Sequence, residues 1–325
     1  MKNEQINLPQ KILSLATAVM ILLGILNTAS AYESVEINGM VYRLSTTDNY
    51  TDLAKVEQQA KYLYEALADH PEVRTYVYLI NSSRTVNVLE DVSAVPVVYE
   101  AIQKYFDKST TDYLHLDSLE QYAEYYYTTD HHWNYKGSYA GYCQIIRMLL
   151  GPDEPLIEPA EEVTFPVKFN GSINRDMKLQ DSKELFTVYR FDYPEMKIVI
   201  NGVPKASYGN QQVYFDGKYS RIEKINHYAK FYGGDTGIVH IQTDRTDRGT
   251  LVVFSNSFSN PITQLLASHY HDLWVIDFRY YLAGQDKDFD FSKILEAGNV
   301  QVLLLGDGVF FSQANPYHKL RFKYN

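Results

Sequence analysis

Three short apolar runs lie close together in the last third of the chain: Leu251-Val-Val-Phe254, Leu273-Trp-Val-Ile276 and Val300-Gln-Val-Leu-Leu-Leu305. Strands apolar on both sides belong inside a sheet covered on both faces, and strands joined through helices run parallel. The spacing therefore predicts neighbouring strands at 250–256, 272–277 and 300–305 in one mainly parallel sheet, with helices near 261–269 and 288–297 between them.

The same alternation extends upstream. Asp52 to His70 carries Leu53, Val56, Ala60, Leu63 and Leu67 on one side, the mark of an amphipathic helix. Val73 to Ile80 reads as a strand, Val95 to Phe106 as a helix, Asp112 to Leu116 as a strand and Gly137 to Leu150 as a helix. Between about 160 and 220 helix signals are few, and Leu185-Phe-Thr-Val-Tyr189 and Lys197-Ile-Val-Ile200 are β-like. That stretch is expected to be a small β-rich insertion packed on the α/β sheet.

Lys2 and Lys11 precede an apolar run from Ile12 to Leu26, and Ala29-Ser-Ala31 follows. This is the layout of a secretory signal peptide, 1–31, with an uncleaved anchor as the alternative. Residues 32–325 then form one domain, exported or held at the cell surface. Cys143 is the single cysteine, so no intrachain disulfide is available. A net charge of −10 argues against a nucleic-acid partner. The 29 tyrosines suit polar clefts and carbohydrate stacking, but equally a β-rich core.

The residues with chemistry fall in two places. Thr129-Asp-His-His-Trp-Asn-Tyr-Lys-Gly137 offers Asp130 as an orienting carboxylate and His132 as a general base. Ser257, in Phe254-Ser-Asn-Ser-Phe258, follows a predicted strand and precedes a helix start at Asn260-Pro261. A serine hydroxyl is a weak nucleophile until a base within reach takes its proton, itself held by a third group. A helix after Ser257 would also offer free N–H groups to a developing oxyanion. Each residue has a plainer explanation: Ser257 and Asp130 as helix caps, His132 as packing beside Trp133. A metal at Asp-His-His, or at His269 and His271, finds no second cluster of ligands at suitable spacing. Neither a metal nor a cofactor is expected. Gly306-Asp-Gly308 reads as a turn.

The Thr129–Gly137 block resembles the signature of the DHHW family of exported bacterial proteins. Ser257-Phe258 with Asp277-Phe-Arg-Tyr-Tyr281 resembles that family's second block, and Tyr232-Gly-Gly-Asp235 its Gly-Gly-Asn segment. The family is similar in turn to SGNH-hydrolase-like proteins that O-acetylate alginate and other exopolysaccharides. The resemblance implies a three-layer α/β/α fold and an Asp130–His132–Ser257 triad, with Gly234 and Asp235 near the oxyanion. Trp133 and Arg279 are then substrate-binding candidates, Arg279 toward an anionic sugar or the ester oxygen, with a buried pair to Asp277 or another carboxylate as its equal alternative. The implied activity is O-acetyl transfer to, or acetyl-ester hydrolysis on, a polysaccharide, with a membrane-bound acetyl carrier as partner. Two positions depart from the pattern: Asn256 stands for Asp, and Asp235 for Asn. An ionised Asp235 donates no hydrogen bond to an oxyanion, so a carbohydrate-binding or surface-assembly relative without turnover is the alternative.

Overall fold

The computed structural model describes residues 32–45, 52–68, 70–82, 96–176, 183–222, 225–281, 292–296 and 298–312. The expected signal peptide and the start of the helix expected near 288 lie outside these. Strands β1 (Tyr32–Ile37) and β2 (Met40–Ser45) form an antiparallel hairpin. Its turn is Asn38-Gly39, with φ of 53° and 78°, the left-handed pair that an Asn-Gly hairpin turn requires.

The main sheet contains β3 (Arg74–Leu79), β4 (Thr111–Tyr113), β7 (Lys197–Ile200), β8 (Val203–Lys205), β9 (Ile238–Gln242), β10 (Thr250–Ser255), β11 (Asp272–Ile276) and β12 (Val300–Gly306). They lie in the order β4-β3-β12-β10-β11-β9-β7-β8. From β4 to β11 every pair is parallel; β9, β7 and β8 continue antiparallel. The three predicted C-terminal strands are neighbours, with β10 between β12 and β11.

Side-chain alternation along these strands builds two cores. Tyr76, Tyr78, Leu251, Val253, Leu303 and Leu305 pack on one face, with Tyr142, Ile145 and Ile146 of helix Tyr135–Leu150. Val77, Leu79, Val252, Phe254, Val302 and Leu304 pack on the other, against Val56, Ala60 and Leu63 of helix Leu53–Ala68 and Val98 and Ile102 of helix Pro96–Gln103. Both faces of β10 and β12 are thus covered, which is why Leu251–Phe254 and Val302–Leu305 are unbroken apolar runs.

The region expected as one β-rich insertion is divided. Strands β5 (Glu161–Lys168) and β6 (Leu185–Arg190) form a separate ribbon over a core of Phe165, Val167, Phe169, Phe186 and Val188 with Tyr214, Tyr228 and Phe231. The hairpin of β7 and β8 instead extends the main sheet at its edge. Among the described residues no helix is long and apolar enough to cross a membrane.

Candidate active site

Strand β10 ends at Ser255, and the chain turns into a 3-10 helix, Ser257–Ile262, before a single α-turn at Thr263–Ala267. From Thr250 to Thr263 every residue is buried except Ser257, which is half-exposed at the carboxyl end of the parallel strands. Ligands of open α/β sheets bind at that end. The helix expected near 261–269 is shorter than that, Thr263–Ala267, and the 3-10 segment stands between it and the strand. Two N–H groups of this turn are already engaged: Phe258 N–H donates to Asn256 Oδ1 at 3.3 Å and Ser259 N–H to Asn256 O at 3.1 Å. The helix-terminus account of oxyanion binding therefore does not hold for those two groups.

Asp130 and His132 come to Ser257 on a loop between helices Leu119–Tyr125 and Tyr135–Leu150. His132 Nε2 is 2.7 Å from Ser257 Oγ, and its Nδ1 is 2.6 Å from Asp130 Oδ1. Asp130 Oδ1 also accepts the His132 backbone N–H at 3.0 Å, and Oδ2 the N–H of Ser172 at 2.6 Å. Burial alone would push the Asp130 carboxyl up; the imidazoles of His132 and His131 and the Ser172 N–H hold it well below the usual carboxylate range. The His132 ring is stacked on Tyr228, centroids 4.1 Å apart, and Tyr228 O–H donates to Ser257 O at 2.8 Å. One tyrosine thus fixes both the plane of the imidazole and the backbone of the serine.

The loop is held from behind by the segment after β5. Gly171 N–H donates to Thr129 Oγ1 at 3.0 Å, Ile173 N–H to Thr129 O at 3.1 Å, and His131 Nδ1 lies 2.6 Å from Ser172 Oγ. A Cβ on Gly171 would overlap Asp130 Cβ and Thr129 O, so only glycine permits this approach. Glu184 accepts from Thr128 N–H at 2.8 Å and Thr129 Oγ1–H at 3.3 Å. Burial and the neighbouring Asp130 push its carboxyl up to about 8, against the lowering effect of the Thr128 N–H. Ser172, Gly171 and Glu184 were not singled out in the sequence, because nothing local links the insertion to the Asp130 loop.

Trp133, Arg279 and Asp307 are each engaged within the protein. Trp133 has no exposed surface; its Nε1–H donates to Phe258 O at 3.0 Å and its ring fills the space that Gly141 leaves. It therefore braces the Ser257 turn and presents no face to a ligand. Arg279 is not free for an anion: it forks onto Asp277, Nε at 3.0 Å from Oδ1 and Nη2 at 2.6 Å from Oδ2, and Nη2 is 3.6 Å from Asp235 Oδ1. Asp307, read as part of a plain turn, is buried and accepts from Asn256 Nδ2 and from Phe310 N–H, both at 3.1 Å.

Gly233 and Gly234 both have positive φ, 101° and 68°, turning the chain out of helix His227–Tyr232. Asn260 Nδ2 donates to Gly234 O at 3.3 Å, tying this loop to the Ser257 turn. Asp235 itself is exposed and accepts from Tyr280 O–H at 2.9 Å. Asp130, His131 and His132 have ligand-type atoms within 4.8 Å of one another, yet hydrogen bonding to Asp130, Ser172 and Ser257 engages both His132 nitrogens and Nδ1 of His131.

No family model and no curated sequence matches this chain. Solved structures do. A DHHW family protein from Eubacterium siraeum aligns with a TM-score of 0.65 at 18% identity, over 90% of this chain and 95% of that one. The fold is that of a DHHW family protein. PatB1 of Bacillus cereus, solved with a sulfonyl adduct, aligns with a TM-score of 0.61 at 17% identity, over 90% of this chain and 99% of PatB1. Its adduct-free structure aligns at 0.59 and 16% identity, again over 90% of this chain and over 100% of PatB1.

Proposed function

We propose that this chain is an exported serine acyl-transfer enzyme, an O-acetyltransferase or acetylesterase acting on polysaccharide, with an SGNH-hydrolase-like fold and an Asp130–His132–Ser257 triad. One observation carries the reading: a half-exposed serine hydroxyl 2.7 Å from an imidazole whose other nitrogen is 2.6 Å from a buried carboxylate. The sulfonyl adduct described for PatB1, which has the same fold, is in keeping with it.

In the first half-reaction Ser257 Oγ attacks the acetyl carbonyl as its proton passes to His132 Nε2. The bond to the leaving oxygen breaks, and that oxygen takes the proton from His132. In the second, a sugar hydroxyl or water gives a proton to His132, attacks the acetyl-serine and releases Ser257, which recovers the proton. Asp130 keeps Nδ1 protonated and stabilises the imidazolium in both steps. Side chains three apart on a 3-10 helix share a face, so Asn260 stands on the side of Ser257; one N–H of its amide is held by Gly234 O, and the other is the neutral donor where Asp235 supplies none. Export rests on the Lys2–Ala31 pattern, and an exported transferase draws its acetyl group from a membrane-bound carrier.

The test is release of acetate from an activated acetyl ester by the purified protein, together with labelling by an aryl sulfonyl fluoride. Ser257→Ala is expected to lower turnover roughly a thousandfold or more and to prevent the label, with an unchanged circular dichroism spectrum. His132→Ala is expected to be comparably damaging. Turnover that survives Ser257→Ala would overturn the assignment.

A further inference from the structure

A cavity of about 440 Å³ lies at the sheet edge, lined by Asn201 after β7, Ile238 and His240 of β9, Trp274 of β11, and Tyr280 and Tyr281 beyond it. Its volume falls within the roughly 300–1,000 Å³ of small-molecule sites. Its wall lies on the sheet face opposite the one that Trp133 and Phe258 cover, and Tyr280 and Tyr281 follow the carboxyl end of β11, the end of the parallel strands at which Ser257 stands. The cavity and the Ser257 turn are joined through a short chain of contacts. Tyr280 O–H donates to Asp235 at 2.9 Å, Asp235 adjoins Gly234, and Asn260 holds Gly234 at 3.3 Å.

We propose that this cavity is the sugar-binding subsite, and that it takes an uncharged or amine-bearing glycan in preference to a polyuronate. The link to acyl transfer rests on the function proposed above; the binding itself does not.

The wall has the chemistry of a pyranose site. His240 and Trp274 are cross-strand partners whose rings stack 3.9 Å apart at 8°, and His240 Nε2 is 2.7 Å from Asp272 Oδ1, which fixes the pair. The result is a rigid pair of stacked rings in the cavity wall, apolar surface that can meet the C–H groups of a sugar at little entropic cost. Tyr280 is 45% exposed, and it and Asn201 add polar groups for hydroxyls at the rim.

The charge selects among glycans. Arg279 adjoins the lining residue Tyr280, and it already faces two carboxylates, Asp277 at 2.6 Å and Asp235 at 3.6 Å. The cluster carries one negative charge in excess. His240 offers no uncompensated positive charge, since Asp272 faces it. No Lys or Arg is among the described residues that line the cavity, so a uronate at every residue of a polymer would meet this excess negative charge without a lining cation to neutralise it, within a protein whose own net charge is −10.

The protein contains two tryptophans, and Trp133 is fully buried, so emission from Trp274 reports on this cavity. The experiment is fluorescence titration of the purified protein with cellohexaose, chitosan hexamer and hexagalacturonate. Saturable changes are expected with the first two and none with the third. Trp274→Phe should remove the signal. Tyr280→Ala, at an exposed position that leaves the core intact, should weaken binding about tenfold, which corresponds to about 1.4 kcal/mol. Equal affinity for hexagalacturonate would overturn the proposal, as would a signal that persists in Trp274→Phe, unchanged affinity in Tyr280→Ala, or no response to any of the three. Emission reads binding and not turnover, so a protein that binds these glycans but lacks Ser257-dependent acetate release keeps the subsite and loses the enzyme reading.

Discussion

Two loops approach the Ser257 turn, and they are held in opposite ways. The Asp130–His132 loop is buried, and backbone or side-chain groups of Thr128, Thr129, Gly171, Ser172 and Glu184 tie it to the insertion. The Gly233–Asp235 loop turns on two left-handed glycines and ends in an exposed carboxylate whose partners, Tyr280 and Arg279, are themselves partly exposed. The proposed proton transfer requires an imidazole that keeps its place, which a clamped loop provides. Selection among acceptors requires groups that face solvent and can differ between relatives. The departure from the family pattern at Asp235 falls on the second loop.

Adding one methyl group against the first loop, from the segment that holds it, and one within the second should expose that difference. In Gly171→Ala the new Cβ meets the backbone carbonyl of Thr129 and the Asp130 side chain, neither of which can move away cheaply. A loss of about 3 kcal/mol in urea unfolding is expected, with acyl transfer falling along with it. At Gly234 a Cβ finds nothing nearer than 3.7 Å, and only the positive φ resists it. About 1 kcal/mol is expected there. Equal losses at the two positions would remove the contrast.

Asn256 tests the clamped side from a third direction. Its Nδ2 donates to the buried Asp307 carboxylate at 3.1 Å, whereas the family pattern has Asp at this position. Asn256→Asp would set two carboxylates against each other without solvent between them. It should cost about 2 kcal/mol at pH 7, because a buried acceptor loses its donor and gains a like charge. Asp307→Asn should cost a similar amount alone but restore the N–H···O pair in the double variant. A double-mutant cycle with no coupling would show that Asn256 is unrelated to Asp307.

How much of this was legible in the sequence depends on whether the signal is local. The strands at 251–254, 273–276 and 300–305 announce themselves because both faces are covered, and Asp130-x-His132 with Ser257 because their chemistry needs one another. Strand β9, Ile238-Val-His-Ile-Gln242, was missed: it sits toward the sheet edge and carries His240 and polar neighbours instead of a continuous apolar run. The first hairpin was also missed, although Asn38-Gly39 is the strongest short-range hairpin signal a chain can carry. Trp133 was misjudged for a different reason. An aromatic beside a catalytic histidine has the same identity whether it stacks on a ligand or braces a turn, and only the gap at Gly141 decides. Ser172, Gly171 and Glu184 act across long sequence separations, and no local pattern marks them.

Glu184 makes the clamp dependent on pH. Its carboxyl is raised from an ordinary 4.5 to about 8, so the folded protein holds a proton that the unfolded chain has released. The stability from this neutral group is complete below pH 4.5 and is lost as pH rises toward 8. Urea unfolding between pH 5 and 9 should show this decline, and Glu184→Gln, neutral throughout, should flatten it. An unchanged slope in the variant would mean that the decline arises elsewhere.

The smallest effect on stability is expected on the open loop. Asp235→Asn keeps an oxygen for Tyr280 O–H at 2.9 Å and gives up only a partly exposed ion pair with Arg279 at 3.6 Å, so unfolding free energy should move by less than about 1 kcal/mol. Its consequences for chemistry are larger than that figure. In the proposed acyl transfer negative charge develops on the acetyl oxygen, and Asp235 adjoins Gly234, which Asn260 ties to the Ser257 turn; the substitution withdraws a negative charge from that loop and adds a neutral donor. Acetate release should rise, and the excess negative charge beside the Tyr280 cavity should vanish, so that hexagalacturonate begins to bind. Asp235→Ala separates the two causes: it removes the charge without adding a donor. Uronate binding that appears in both variants, with faster turnover in Asp235→Asn alone, assigns the first effect to charge and the second to hydrogen bonding. Turnover that stays flat in both would place oxyanion stabilisation on Asn260 and the backbone, leaving Asp235 a residue of acceptor choice.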